Sequence, residues 1–112
     1  MTYKAIVKMM VRTEAVAWIE KLLEKNNISY KWTDAEVVSM ENDKDTDTVL
    51  YDVRVDITLP GYTKTSVYVG GTVDDICGIC TSCIWDRNHK DVIWYNVEHT
   101  REYFGIKEFK IA

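Results

Sequence analysis

The sequence predicts an α+β domain: an antiparallel sheet of four to six strands with two helices on one face. Three observations lead there. Residues 3–11 and 49–59 alternate apolar and polar side chains, the period of strands with one wet face. Residues 15–23 and 73–84 repeat apolar side chains at helical spacing. Pro60-Gly61, set between two strand-like runs, marks a tight hairpin turn. The 112 residues read as a single domain, 1–112, without internal repeat or linker.

From the N-terminus, Tyr3, Ala5, Val7, Met9 and Val11 fall on one side of a strand, with Lys4 and Lys8 on the other. Thr13 offers an N-cap oxygen, and Glu14 suits the positive end of a helix dipole. Ala15, Val16, Ile19, Leu22 and Leu23 make the first helix's apolar stripe, flanked by Trp18. Asn26-Asn27 stops it, because asparagine tolerates the left-handed backbone at helix ends. A second strand runs from about Tyr30 to Met40, its alternation broken at Val37-Val38, and 41–48, with no apolar residue, is a loop.

The clearest strand comes next, with Val49, Tyr51, Val53, Val55, Ile57 and Leu59 on one side and Asp52, Arg54, Asp56 and Thr58 on the other. In the turn, proline fixes φ at the second position and glycine supplies positive φ at the third; 62–69 returns as a strand. Gly70-Gly71 ends that strand, and Thr72 with Asp75 opens a second helix whose stripe is Val73, Ile76, Ile79, Cys80, Cys83 and Ile84. A polar connection at 86–90 leads to a strand over about 91–98, a turn over 101–105 and an edge strand over 106–111. With one strand added, the order βαβββαβ is that of a ferredoxin-like sandwich. If its first and third strands are neighbours, Lys4 and Lys8 lie beside Asp52 and Asp56 on the open face.

Composition narrows the function classes. At 46% hydrophobic and 29% charged residues with one proline, the chain is neither low-complexity nor collagen-like. It has no apolar run near the ~18 residues that span a bilayer, and its first residues are too charged for a signal peptide, so no membrane is expected. Three cysteines, an odd number, argue against a disulfide framework and for a reducing, cytoplasmic location. The net charge of −4 is uneven: 34–56 holds Asp34, Glu36, Glu41, Asp43, Asp45, Asp47, Asp52 and Asp56 against Lys44 and Arg54. Such a block argues against direct nucleic-acid binding by this region, which needs clustered Lys and Arg, and suits a basic protein partner.

The sharpest local pattern is Cys77-Gly-Ile-Cys80-Thr-Ser-Cys83, two CxxC units sharing the middle cysteine. Thiolates so spaced in a turning loop can converge on zinc or an iron–sulfur cluster, with His89 as a fourth ligand. The fourth cysteine and proline of the bacterial iron–sulfur pattern are missing, since Arg87 and Asn88 follow. On a straight helix three residues at i, i+3 and i+6 spread over about 120°, poor geometry for one tetrahedral ion. Cys80 and Cys83 fall instead within the apolar stripe, where free cysteine packs as a small hydrophobe. No cofactor is therefore expected, and a metal-binding or redox domain on Cys77, Cys80, Cys83 and His89 is the alternative.

Asp43, Asp45 and Asp47 resemble the opening of a calcium loop, but Thr48 stands where that loop needs glycine and Arg54 where it needs glutamate. His89 and His99 are candidates for a general base, the role imidazole most often fills. Neither is accompanied by HExxH, a nucleophile elbow or a phosphate-binding glycine loop, so no catalytic residue is assigned and no enzyme is expected.

Aromatic residues are abundant, with four tryptophans and seven tyrosines. Tyr62 and Tyr68 share a strand face with Lys64 and Ser66, and Trp85 projects away from the second helix's stripe; such residues anchor protein interfaces. The RNP1 pattern of RNA-binding sheets is missing. The resulting expectation is a small, acidic, non-enzymatic protein-binding module that engages a basic surface through Glu41, Asp43, Asp45, Asp47, Tyr62, Tyr68 and Trp85. One version is a phage-type inhibitor or regulator whose carboxylates stand in for phosphates. Ile6 and Met10, set between Lys4, Lys8 and Arg12 on an exposed sheet face, also allow a homodimer.

Overall fold

Among the described residues one helix precedes five strands: α1 (Tyr3–Lys25), β1 (Trp32–Asp43), β2 (Thr48–Thr58), β3 (Lys64–Asp74), β4 (Gly78–Trp85) and β5 (Val92–Tyr95). The computed structural model describes residues 3–45, 48–75, 78–96 and 111. The strands form one antiparallel meander in the order β1-β2-β3-β4-β5, and α1 packs across one face of it. The α+β class with an antiparallel sheet stands. The second helix and the ferredoxin-like order do not: the segment read as a first strand is the start of α1, and the described residues of the segment read as a second helix lie at the end of β3 and in β4.

The start of α1 shows why the period misleads. An apolar residue at every second position is also one at every fourth, so Val7 and Val11 satisfy strand and helix alike. Continuity decides, because Val7, Val11, Ala15, Ile19, Leu22 and Leu23 form one buried stripe along a single helix. Met9, which a strand would put beside Val7, lies about 200° round the helix, with 57% of its surface exposed. Thr13 is no N-cap but a mid-helix residue whose hydroxyl donates to the Met9 carbonyl at 2.9 Å. Ile6, Met10, Lys4 and Lys8 sit on the exposed side of this helix, so they are neither on a sheet face nor beside Asp52 and Asp56. At the other end the asparagine signal holds. Asn27 takes φ +58°, the Ile28 N–H reaches the Leu23 carbonyl at 2.9 Å, and the Asn27 N–H reaches that of Glu24 at 3.2 Å. That is a Schellman end with asparagine in the left-handed position.

β2 is the spine of the sheet. Tyr51, Val53, Val55 and Ile57 all point at α1 and are buried with Ala35 of β1, Val67 and Val69 of β3 and Ile84 of β4. The broken alternation at Val37-Val38 is a β-bulge: Val37 pairs with Val53 and Ser39 with Asp52, leaving Val38 extra. The Pro60–Tyr62 turn closes as expected, with Gly61 at φ +82° and the Leu59 N–H donating to the Thr63 carbonyl at 2.7 Å.

A second bulge produces the false helix. Gly70 pairs with Cys83 but Gly71 pairs with Thr81, so Ser82 is extra and Thr81 and Ile84, three residues apart, both face the core. The residues read as one helix face are divided between the two faces of β4: Ile79 and Ile84 point to the core, Cys80 and Cys83 away from it, and the bulge sets the three-residue interval between the two cysteines. Gly70-Gly71 does not end β3 but lies inside it, where close approach demands it. A Cβ on Gly71 would stand 2.0 Å from the Cys80 carbonyl oxygen, and one on Gly70 would stand 2.4 Å from the Trp85 ring. β5 is shorter than expected, and the turn at 101–105 and edge strand at 106–111 lie outside the described residues, Ile111 apart. Among the described residues no helix is long and apolar enough to cross a membrane.

The assignment of α1 has a direct consequence. Ile19→Ala, at a fully buried position, is expected to cost about 2–5 kcal/mol in urea unfolding. Met9→Ala is expected to change stability by less than about 0.5 kcal/mol. Comparable losses at the two sites would contradict the helix.

Candidate functional site

With α1 on one face, the register determines what the other face presents. Alternation places Asp34, Glu36, Glu41 and Asp43 of β1 and Asp52 and Asp56 of β2 on the side away from the helix. Arg54 is the only basic residue in either strand. It donates to Glu36 at 3.0 Å and to Asp56 at 3.1 Å, and Ser66 of β3 donates to Asp56 at 2.7 Å. Arg12 of α1 reaches round the edge of β1 to Asp34 at 2.6 Å and to the Ala35 carbonyl at 2.8 Å. The Ala35 backbone N–H, then Arg12, hold the Asp34 carboxyl below its ordinary range. Among the described residues no cation is paired with Glu41, Asp43 or Asp45, although the Asp43 carboxylate accepts the Asp45 backbone N–H at 3.0 Å.

Beside the carboxylates lies an aromatic cluster built from β3, β4 and the turn that follows β4. The missing side chain of Gly70 lets the Trp85 indole lie down on β3. The β4–β5 connection then folds back over it. Asp86 organises this turn by accepting the backbone N–H groups of Lys90 at 2.9 Å, Asn88 at 3.2 Å and Asp91 at 3.4 Å. These donors, Lys90 first, lower its pKa. The His89 N–H bonds the Asp86 carbonyl at 2.9 Å, and His89 is held in the left-handed region at φ +57°. Its ring thereby stacks on Trp85 with centroids 4.7 Å apart and 15° between planes, meets the edge of Tyr68 at 4.5 Å, and brings Nε2 to 2.6 Å from Asp52 Oδ2. Asp52 Oδ1 is shielded from solvent and has no hydrogen-bond partner among the described residues.

Of the expected partner-binding residues, Tyr68 and Trp85 come together here, and Glu41 and Asp43 lie on the same face. Tyr62 sits at the β2–β3 turn, its ring 5.9 Å from that of Trp32 with the Lys31 ammonium 5.5 Å above it. Asp47, Cys77 and His99 lie outside the described residues. Cys80 and Cys83 belong to β4 rather than to a helix. Burial, with a smaller contribution from Asp52, pushes the Cys83 thiol up to about 11. Among the described residues no group of three or more His, Cys, Asp or Glu is placed to hold a metal ion.

Sequence reasoning missed the Asp52–His89 pair, whose members are 37 residues apart. The available signal was turn chemistry: an aspartate directly after a strand, followed by Asn88, marks a turn that closes on itself and carries His89 back over its own strand. Comparison with known proteins finds no family model, no curated protein and no solved structure that matches this chain.

The thiol chemistry is open to a simple check. At a pKa of about 11 against the ordinary 9.0, Cys83 holds about a hundredfold less thiolate near neutral pH. Its alkylation by iodoacetamide at mildly alkaline pH, followed in a Cys77→Ser/Cys80→Ser background, is therefore expected to be slower in the folded protein than in urea by about that factor. Equal rates would show that burial does not hold the thiol protonated.

Proposed function

We propose that this chain is a small non-enzymatic binding module that takes a basic protein surface onto the open face of its sheet. The observation that carries the reading is the register of β1 and β2, which gathers six carboxylates and one arginine onto a single face. Tyr68 and Trp85 supply aromatic contact area beside them, the residue types that anchor protein interfaces. Charges in such an arrangement act at two ranges. Glu41, Asp43 and Asp45, unpaired with a cation among the described residues, attract a cationic partner at a distance and raise the rate of encounter. The paired residues Glu36, Asp56 and Arg54 form a fixed array that a partner's donors meet at contact.

A face of this kind suits an inhibitor or regulator that covers a nucleic-acid-binding surface, offering carboxylates where phosphates would otherwise lie. Phage-encoded inhibition is one setting for that use. In either setting the protein acts by occupying a surface.

The reading is tested with a short Arg/Lys peptide as the basic probe. Binding is expected to weaken by about tenfold or more as salt rises from about 50 to about 300 mM. At low salt Glu36→Gln/Glu41→Gln is expected to weaken it by at least about threefold, while Glu14→Gln/Glu24→Gln, an equal loss of charge on α1 across the sheet from this face, leaves it within about twofold. Equal losses from the two double variants would reduce the interaction to net charge and sink the proposal.

A further inference from the structure

A planar cation is recognised by two things at once, an aromatic face to lie against and a carboxylate at its edge. Trp85, Tyr68 and Asp52 supply both at one point on the open face, and in this structure His89 fills the place between them. Two features shape this place for a flat group. Gly70 lets the indole lie flat on the sheet, since a Cβ there would stand 2.4 Å from the ring. The Asp86 turn holds His89 in a left-handed conformation, which costs a non-glycine residue something to adopt.

The carboxylate is only half used. Asp52 Oδ2 meets His89 Nε2, whereas Oδ1, cut off from solvent, has no donor among the described residues. A shielded carboxylate oxygen without a donor is a costly arrangement. An imidazole directs one N–H at a carboxylate; a guanidinium directs two in parallel and is flat enough to stack on an indole. An ammonium satisfies neither requirement as well, being a compact charge with no plane.

We propose that Trp85, Tyr68 and Asp52 form an arginine-recognition cage for which His89 is the built-in placeholder, displaced when an arginine side chain of the basic partner enters. The inference rests on the docking reading above and deepens it by naming the side chain that the face selects. Trp85 carries the stacking, Tyr68 closes the side by an edge-to-face contact, Asp52 carries the paired hydrogen bonds, and the Asp86 turn is the element that moves. Because His89 occupies the cage in the free protein, the affinity for arginine is lowered by the fraction of molecules in which the cage stands empty.

The test uses the whole chain with ethylguanidinium as probe and methylammonium as its comparison, read by the indole N–H resonance of Trp85. His89→Gly removes the placeholder at a position whose positive φ glycine adopts without strain. This variant is expected to bind ethylguanidinium at least about tenfold more tightly than the wild type, and to prefer it to methylammonium. Adding Asp52→Asn to His89→Gly is expected to abolish the gain while the remaining amide resonances keep their folded dispersion. Trp85→Leu in the same background provides a second loss that leaves the carboxylate in place.

Equal binding by wild type and His89→Gly, no preference for the guanidinium, or retention of the gain with Asp52→Asn would each overturn the cage. The wider reading fails separately. An Arg/Lys peptide that still binds the Asp52→Asn/His89→Gly protein in a salt-dependent, Glu36- and Glu41-dependent way leaves the docking face standing without the cage. Ethylguanidinium binding together with loss of that carboxylate dependence leaves the cage without the docking face.

Discussion

Among the described residues one helix, α1, lies against one face of a five-stranded antiparallel sheet, and the character of the other face follows from how it does so. The buried stripe from Val7 to Leu23 closes the core against Tyr51, Val53, Val55 and Ile57. A single helix covers a single face. Side chains of alternate parity in β1, β2 and β3 are then left on the other side, among them six carboxylates, Arg54, Ser39, Ser66, Leu50 and Tyr68. The same alternation that makes the core apolar therefore also makes the second face polar and acidic, and the functional reading is a consequence of the packing.

The two bulges shape that second face. The extra residue at Val38 lets β1 keep both Ala35 and Met40 on the helix side while Glu36 and Glu41 remain on the other. The extra residue at Ser82 keeps Thr81 and Ile84 inward while Cys83 and Trp85 stay outward opposite Gly70 and Tyr68. Bulges re-aim side chains in this way, and here they bring Trp85 over a glycine and within reach of a histidine from the next turn. The Asp86 carboxylate gathers the turn's backbone N–H groups, and Asp52 fastens its histidine at the far side. A tight loop, an aromatic stack and one carboxylate thus fix a small patch of the open face.

Much of this was legible in the chain. The alternation of β2, the Pro60-Gly61 turn, the helix stop at Asn26-Asn27 and the interruption at Val37-Val38 all correspond to what forms. Two segments misled for physical reasons. In 3–11 a four-residue repeat is contained in a two-residue one, and only the continuation through Ala15 and Ile19 separates them. In 78–84 apolar residues lie on both faces of β4, Ile79 and Ile84 inward and Cys80 and Cys83 outward, and the Ser82 bulge spaces the cysteines by three, so the two faces together read as one helix stripe. At the site, Tyr68 and Trp85 were visible as aromatics without a core to fill, but their neighbour His89 and its partner Asp52 were not. That pairing depends on a strand register and a loop closure, neither of which leaves a local pattern.

The central claim is that the open sheet face, and not the exposed side of α1 with Ile6, Met9 and Met10, meets a basic partner. Amide and indole chemical-shift mapping of the assigned protein with an arginine-rich peptide tests it most directly. The account predicts that the shifted residues trace Glu36, Glu41, Asp52, Tyr68 and Trp85 across β1 to β4, with α1 unchanged outside Arg12. Shifts centred on Ile6, Met9 and Met10, with the Trp85 indole unmoved, would contradict it.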